Sequence, residues 1–149
     1  MENLGGNSLT RKIFWITLSA IVIASVVVPV YAAKPQKTVT NTLELVQVRL
    51  IVDGKSIVLS PSELIALPKN TSFYVEADVK NTSANTINVR VQFYFSTTQT
   101  LNSDIDPGQV KTFASKNFRV AAGYNTLTVT AQDTLNGSAK LQTNTIFGS

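Results

Sequence analysis

Two regimes of hydrophobic patterning divide the chain. From Ile13 to Val30 an apolar stretch runs without a charge and is broken only by the weakly polar Thr17, Ser19 and Ser25. Beyond residue 37 apolar and polar positions alternate in twos, the period of a strand with one buried face. The first such segment, Thr38 to Val52, places Val46, Val48, Leu50 and Val52 on one face and Gln47, Arg49 and Ile51 on the other. Leu43 and Leu45 fall in the opposite phase, so a bulge is expected near Leu45-Val46. Asp53-Gly54 suits a two-residue hairpin turn, since both positions accept positive φ. Ser56 to Leu59 then returns as a short strand. Ser60-Pro61-Ser62-Glu63 has the spacing of a helix start, with one or two turns expected before Pro68.

The alternation continues over Ser72 to Lys80 and Thr86 to Phe95, with a weaker segment over Thr98 to Ile105. Asp106-Pro107-Gly108 suits a type II turn. Val110 to Val120 reads as a strand bent around Ser115 to Asn117, followed by strands over Asn125 to Gln132 and Ser138 to Phe147 either side of the Asn136-Gly137 turn. Seven or eight strands with turns at this spacing predict an all-β fold. Two packed antiparallel sheets are its simplest burial solution, and an eight-strand jelly roll is the rival.

The apolar run changes what this domain can be. Arg11-Lys12 precedes it and the small residues of Tyr31-Ala32-Ala33 close it, the layout of a secretory signal with cleavage expected after Ala32. Extended to Ala33 the run is also long enough to span about 30 Å of hydrocarbon as an uncleaved anchor, with the basic pair inside. Either way residues 34–149 are expected outside the cytoplasm. The expected organisation is a signal peptide or anchor over 1–33, a polar linker over 34–37 and a β-sandwich over 38–149.

Composition removes whole classes of chemistry. Of 149 residues none is Cys or His, which excludes Cys/His zinc sites, thiol redox chemistry and Ser-His-Asp or Cys-His catalysis. The net charge of +4 is too small and too scattered for a nucleic-acid partner. Thr, Ser and Asn number 18, 13 and 12, a hydrated, uncharged surface vocabulary. No cofactor, metal site or enzymatic activity is expected. Glu76 and Asp78 lie about 6.6 Å apart along one strand face, which outer-face charge explains. Asp104 and Asp106 have cation-ligand spacing but more simply cap a turn.

Three sequons, at Asn70, Asn81 and Asn136, fall at turns or strand starts of the exported part and are candidate glycosylation sites. Tyr74, Tyr94 and Tyr124 are candidates for stacking on sugars or for cross-strand packing. The segment carrying Leu43, Leu45, Val46, Val48, Leu50 and Val52 has apolar residues in both phases. Such a strand could insert into the open sheet of a neighbouring copy, or serve as an ordinary bulged first strand.

The stretch Phe73 to Asn136 resembles the adhesion-related Ig-like domains of bacterial and archaeal surface proteins. The residues that carry the resemblance are Val79-Lys80-Asn81-Thr82, Val91-Gln92-Phe93-Tyr94, Asp106-Pro107-Gly108-Gln109, Gly123-Tyr124 and Val129-Thr130-Ala131-Gln132-Asp133. It implies an Ig-like sandwich acting as a spacer or adhesive module. A looser similarity, to archaeal extracellular filament subunits, implies assembly by exchange of the N-terminal strand, residues 38–52. The expected function is a structural or adhesive surface protein whose partners are its own copies, other envelope proteins or glycans. The alternatives are a monomeric carbohydrate- or protein-binding module, and an envelope protein held in the membrane by residues 13–33.

Overall fold

The structure, a computed structural model, describes residues 40–149. The expectations for the signal or anchor, the linker and cleavage after Ala32 lie outside the described residues. The described part is all-β, with ten strands in two five-stranded sheets packed face to face. The strands are β1 (Leu43–Val52), β2 (Lys55–Val58), β3 (Leu64–Leu67), β4 (Ser72–Asn81), β5 (Ile87–Tyr94), β6 (Thr98–Ile105), β7 (Val110–Ala114), β8 (Phe118–Arg119), β9 (Gly123–Asp133) and β10 (Ala139–Gly148). The first sheet has the order β2-β1-β4-β7, with β8 also on β4; the second has the order β3-β10-β9-β5-β6. Every pairing is antiparallel except β3 with β10.

Ten strands replace the seven or eight expected, for two local reasons. The bent segment 110–120 is broken into β7 and β8, because Ser115 turns inward to accept a hydrogen bond from the Val75 N–H at 2.9 Å. The expected helix after Ser60 is instead a tight turn followed by β3. One half of the cap does form, with Ser60 N–H donating to the Glu63 carboxylate at 2.8 Å, while Glu63 N–H donates to the Ser60 carbonyl at 3.1 Å as in a turn. Ser62, however, sits at φ 65°, which no right-handed helix admits. Leu64-Ile65-Ala66-Leu67 then alternates exposed and buried, the strand period. The side-chain amides of Gln142 and Asn144 on β10 donate to the carbonyls of Leu59 and Ser60 at 2.9 and 2.6 Å. They hold the chain where it crosses between sheets.

The bulge in β1 falls where the phase change places it. Leu45 faces Val79 and Gln47 faces Asp78, leaving Val46 unpaired. Val46 is 49% exposed, which corrects its expected inward position. Leu43 is buried before the bulge and Val48 and Leu50 after it. The two turns behave as expected. Asp53 and Gly54 both have positive φ, and Gly108 at φ 72° follows Pro107 with Gln109 N–H on the Asp106 carbonyl at 3.1 Å.

The core between the sheets is built from the inward residues of the long strands, among them Val75, Val79, Val89, Val91, Leu127, Val129 and Ile146. At one end Phe73, Phe95 and Phe118 pack as a triangle with centroids 5.1 to 5.7 Å apart. The chain enters the sandwich at the opposite end, where Thr42 meets the β9–β10 turn. It reaches Ser149 at the phenylalanine end, where the Ser149 carbonyl accepts from Lys69 N–H.

Candidate functional site

Three sequons predicted as acceptors meet different surroundings. Asn81 ends β4 and is fully buried. Its Nδ2 donates to the carbonyls of Asn85 (2.7 Å) and Ile105 (2.9 Å), and its Oδ1 accepts from Ser83 N–H and Oγ, both at 2.8 Å. Both amide protons are spent inside the fold, so Asn81 is the anchor of the β4–β5 turn. Asn136 is exposed, but its Nδ2 donates to Asp133 at 2.8 Å and the sequon hydroxyl of Ser138 is buried. Asn70 sits at φ 68° on an exposed turn, followed by a half-buried Thr71 and an exposed Ser72. Of the three it alone presents both asparagine and hydroxyl residue at the surface, beside the C-terminal end of β10.

The end of the sandwich where the chain enters is tied by one carboxylate. Asp133 is buried and accepts from Thr42 Oγ1 at 2.7 Å, Asn136 Nδ2 at 2.8 Å and Leu135 N–H at 3.0 Å. Burial pushes its pKa up. Hydrogen bonds from the Thr42 and Asn136 side chains and the Leu135 and Asn136 N–H groups outweigh that and hold it below the ordinary 3.8. Asp104 and Asp106 are not paired on a common site. Asp104 accepts from Asn88 and Asp106 from Thr86, so both serve turn and cross-strand roles. Among the described residues no three His, Cys, Asp or Glu side chains gather as metal ligands.

The two outer faces differ in kind. On the first sheet, Arg49 bridges Glu76 and Asp78 at 3.0 Å each, with Thr112 Oγ1 also on Asp78 at 2.6 Å. The close Glu76 and Asp78 pair is thus neutralised by a cross-strand arginine. Tyr74 lies on this face opposite Ile51. On the second sheet the outward positions are almost uncharged. Arg90 and Asp104 are the charges on it, both toward the end where the chain enters.

Between them, register places threonines side by side. Thr143 faces Thr128 and Thr145 faces Thr126, with Thr130 next along β9. Tyr94 on β5 lies opposite Thr128 on one side and Thr98 on the other, and is 51% exposed. Tyr124 lies opposite Phe147, is 77% exposed, and packs against that ring at a tilt, with centroids 4.9 Å apart. The three tyrosines are therefore split, Tyr94 and Tyr124 on one face and Tyr74 on the other. Sequence periodicity assigns each to an outer face but cannot say which sheet a strand joins.

The strand-exchange candidates Leu43, Leu45, Val46, Val48, Leu50 and Val52 all lie on β1, which the single chain seats between its own β2 and β4. No protein-family model matches the chain, and no curated protein matches it in sequence.

Proposed function

We propose that the chain is an exported cell-surface protein whose β-sandwich acts as a structural or adhesive module. The carrying observation is the order of features along the sequence. A basic pair, a charge-free apolar run and a small-residue exit lead into a domain rich in Thr, Ser and Asn. The described domain supports this with a two-sheet sandwich whose outer faces are rich in polar side chains and whose buried polar side chains are all hydrogen-bonded. An Ig-like classification is supported by the N-terminal segment. It contributes β1 to one sheet, crosses, and runs parallel to the last strand in the other. Among the sequons, Asn70 is the acceptor that the folded surface offers.

Intact mass of the native protein, with its location in envelope, medium or cytosol, tests the reading. A mass starting at Ala33 or Lys34 in the medium or envelope fits secretion. A full-length mass in membranes, with the domain open to external protease, fits an anchored surface module. Full-length protein confined to the cytosol overturns the proposal.

A second reading, assembly by exchange of β1, is favoured by one observation. Ile51 is buried on the outer side of β1 while Val48 and Leu50 are buried on its inner side, so the C-terminal end of the strand, past the ion-paired Arg49, has apolar burial on both sides.

A further inference from the structure

We infer that the outer face of the second sheet is a binding platform for a flat, neutral polysaccharide of β-1,4-linked sugars. The inference rests on the surface reading above and names what that surface would hold. Four properties of the face converge on this ligand class.

The first is charge. The domain's cross-strand ion pairs lie on the first sheet, through Arg49, Glu76 and Asp78. The second sheet's field of Thr126, Thr128, Thr130, Thr143 and Thr145 carries none. With Arg90 and Asp104 as its charges, one of each sign and both outside the threonine field, the face gives no net electrostatic attraction to nucleic acid, anionic lipid or a sulfated glycan, and it matches a neutral polymer. The second is hydrogen-bonding capacity. Each threonine hydroxyl both donates and accepts, as sugar hydroxyls do, so the two arrays can satisfy each other in many registers.

The third is the pair of exposed rings. Tyr124 is braced by Phe147 and cannot fold away without losing that contact. Tyr94 stands four residues along the β9 register, about 14 Å by strand rise. Two aromatic supports at the ends of a hydroxyl field suit an extended chain of several rings. The equatorial linkages of a β-1,4 polymer keep such a chain flat and expose apolar C–H faces to the tyrosines. The fourth property disfavours a second copy as occupant. Two threonine-rich faces pressed together would bury hydroxyls at fixed spacings with few partners, at a cost for each group left unpaired. Sheet faces that pack on sheets are aliphatic, as this domain's own interior is, whereas the exposed aliphatics of this face, Leu64 and Leu141, stand at the margin of the threonine field.

The test uses the full-length chain, detergent-solubilised, and measures its depletion from solution by microcrystalline cellulose and by chitin particles. Wild-type protein is expected to co-sediment with at least one of them, and to do so equally in high salt. Tyr124→Ala and Tyr94→Ala should each weaken binding about tenfold with the fold retained by circular dichroism at the assay temperature. Tyr74→Ala, on the other face, should leave affinity unchanged. Failure to sediment with both polymers overturns the inference, as does release by salt or equal loss in Tyr74→Ala. Elution as a dimer that Tyr124→Ala dissociates would assign the face to self-contact and also overturn it. The assay does not depend on export. A negative result leaves the surface reading standing, and cytosolic retention in the mass experiment would not produce one.

Discussion

Asn81 spends its whole amide inside the fold, and that distinguishes it from the two other asparagines in the same sequence motif. Removing its side chain leaves the buried carbonyl of Ile105 without its donor and frees the β4–β5 turn. Asn81→Ala should therefore cost about 2–3 kcal/mol, read as a lowered denaturation midpoint at unchanged slope. Asn70→Gln should cost about 1 kcal/mol, because the left-handed φ of 68° suits Asn better than Gln, while removing any glycan mass the native protein carries. The sequence marks all three positions identically, because a sequon is a local pattern and burial is set by strands far away in the chain.

Asp133 gives a pH prediction at the same scale. Its folded pKa lies below the ordinary 3.8, so its contribution to stability is fully present above that value. It is lost as pH falls through the lower folded value. Stability should be level with respect to this group at neutral pH and drop in the acid limb below about pH 4. Asp133→Asn should be less stable at pH 7 and should show a shallower acid limb, measured by denaturation across pH.

At the scale of elements, β1 is a regular strand with one residue too many. Val46 is the unpaired residue, and its neighbours Leu45 and Gln47 already face consecutive positions of β4. Deleting Val46 joins Leu43, Leu45, Val48, Leu50 and Val52 into one unbroken inward phase. The deletion should be tolerated within about 1 kcal/mol. Deleting Arg49 instead reverses the phase of half the strand and should prevent folding. Circular dichroism and thermal melting of the two variants distinguish them. The bulge was legible because a phase change in apolar residues has one economical explanation. The strand at Leu64–Leu67 was not, since four residues carry little periodicity and the preceding Ser-Pro-Ser-Glu spacing is shared by helix caps and tight turns. Left-handed Ser62 separates the two, and no residue type announces it.

At the scale of the molecule, the period-2 pattern sufficed to anticipate two packed layers, since alternating strands have to bury one face each. It could not assign strands to layers. Tyr74 and Tyr94 look alike in sequence and stand on opposite surfaces, because pairing β4 with β1 and β5 with β9 depends on contacts across the whole domain. The same pairing gives a direct test of assembly. Glu44 and Lys80 are register partners on β1 and β4. In Glu44→Cys/Lys80→Cys, a domain closed on its own β1 should oxidise to a monomer with an internal disulfide. Exchange of β1 should yield covalent ladders on non-reducing gels, and their absence from native assemblies would rule exchange out.

The points at which the chain enters and leaves the sandwich bear on how the domain would carry a load. Thr42 enters at the end where Asp133 holds it, and β10, ten residues long, carries the chain to the other end, roughly 34 Å away. Tension between these points pulls β1 and β10 lengthwise in opposite directions. The β1–β4 ladder and the parallel β3–β10 ladder then resist together, many hydrogen bonds sliding at once rather than opening singly like a zipper. A domain threaded in this way is mechanically stiff along its long axis while remaining only as stable, at equilibrium, as its small core allows.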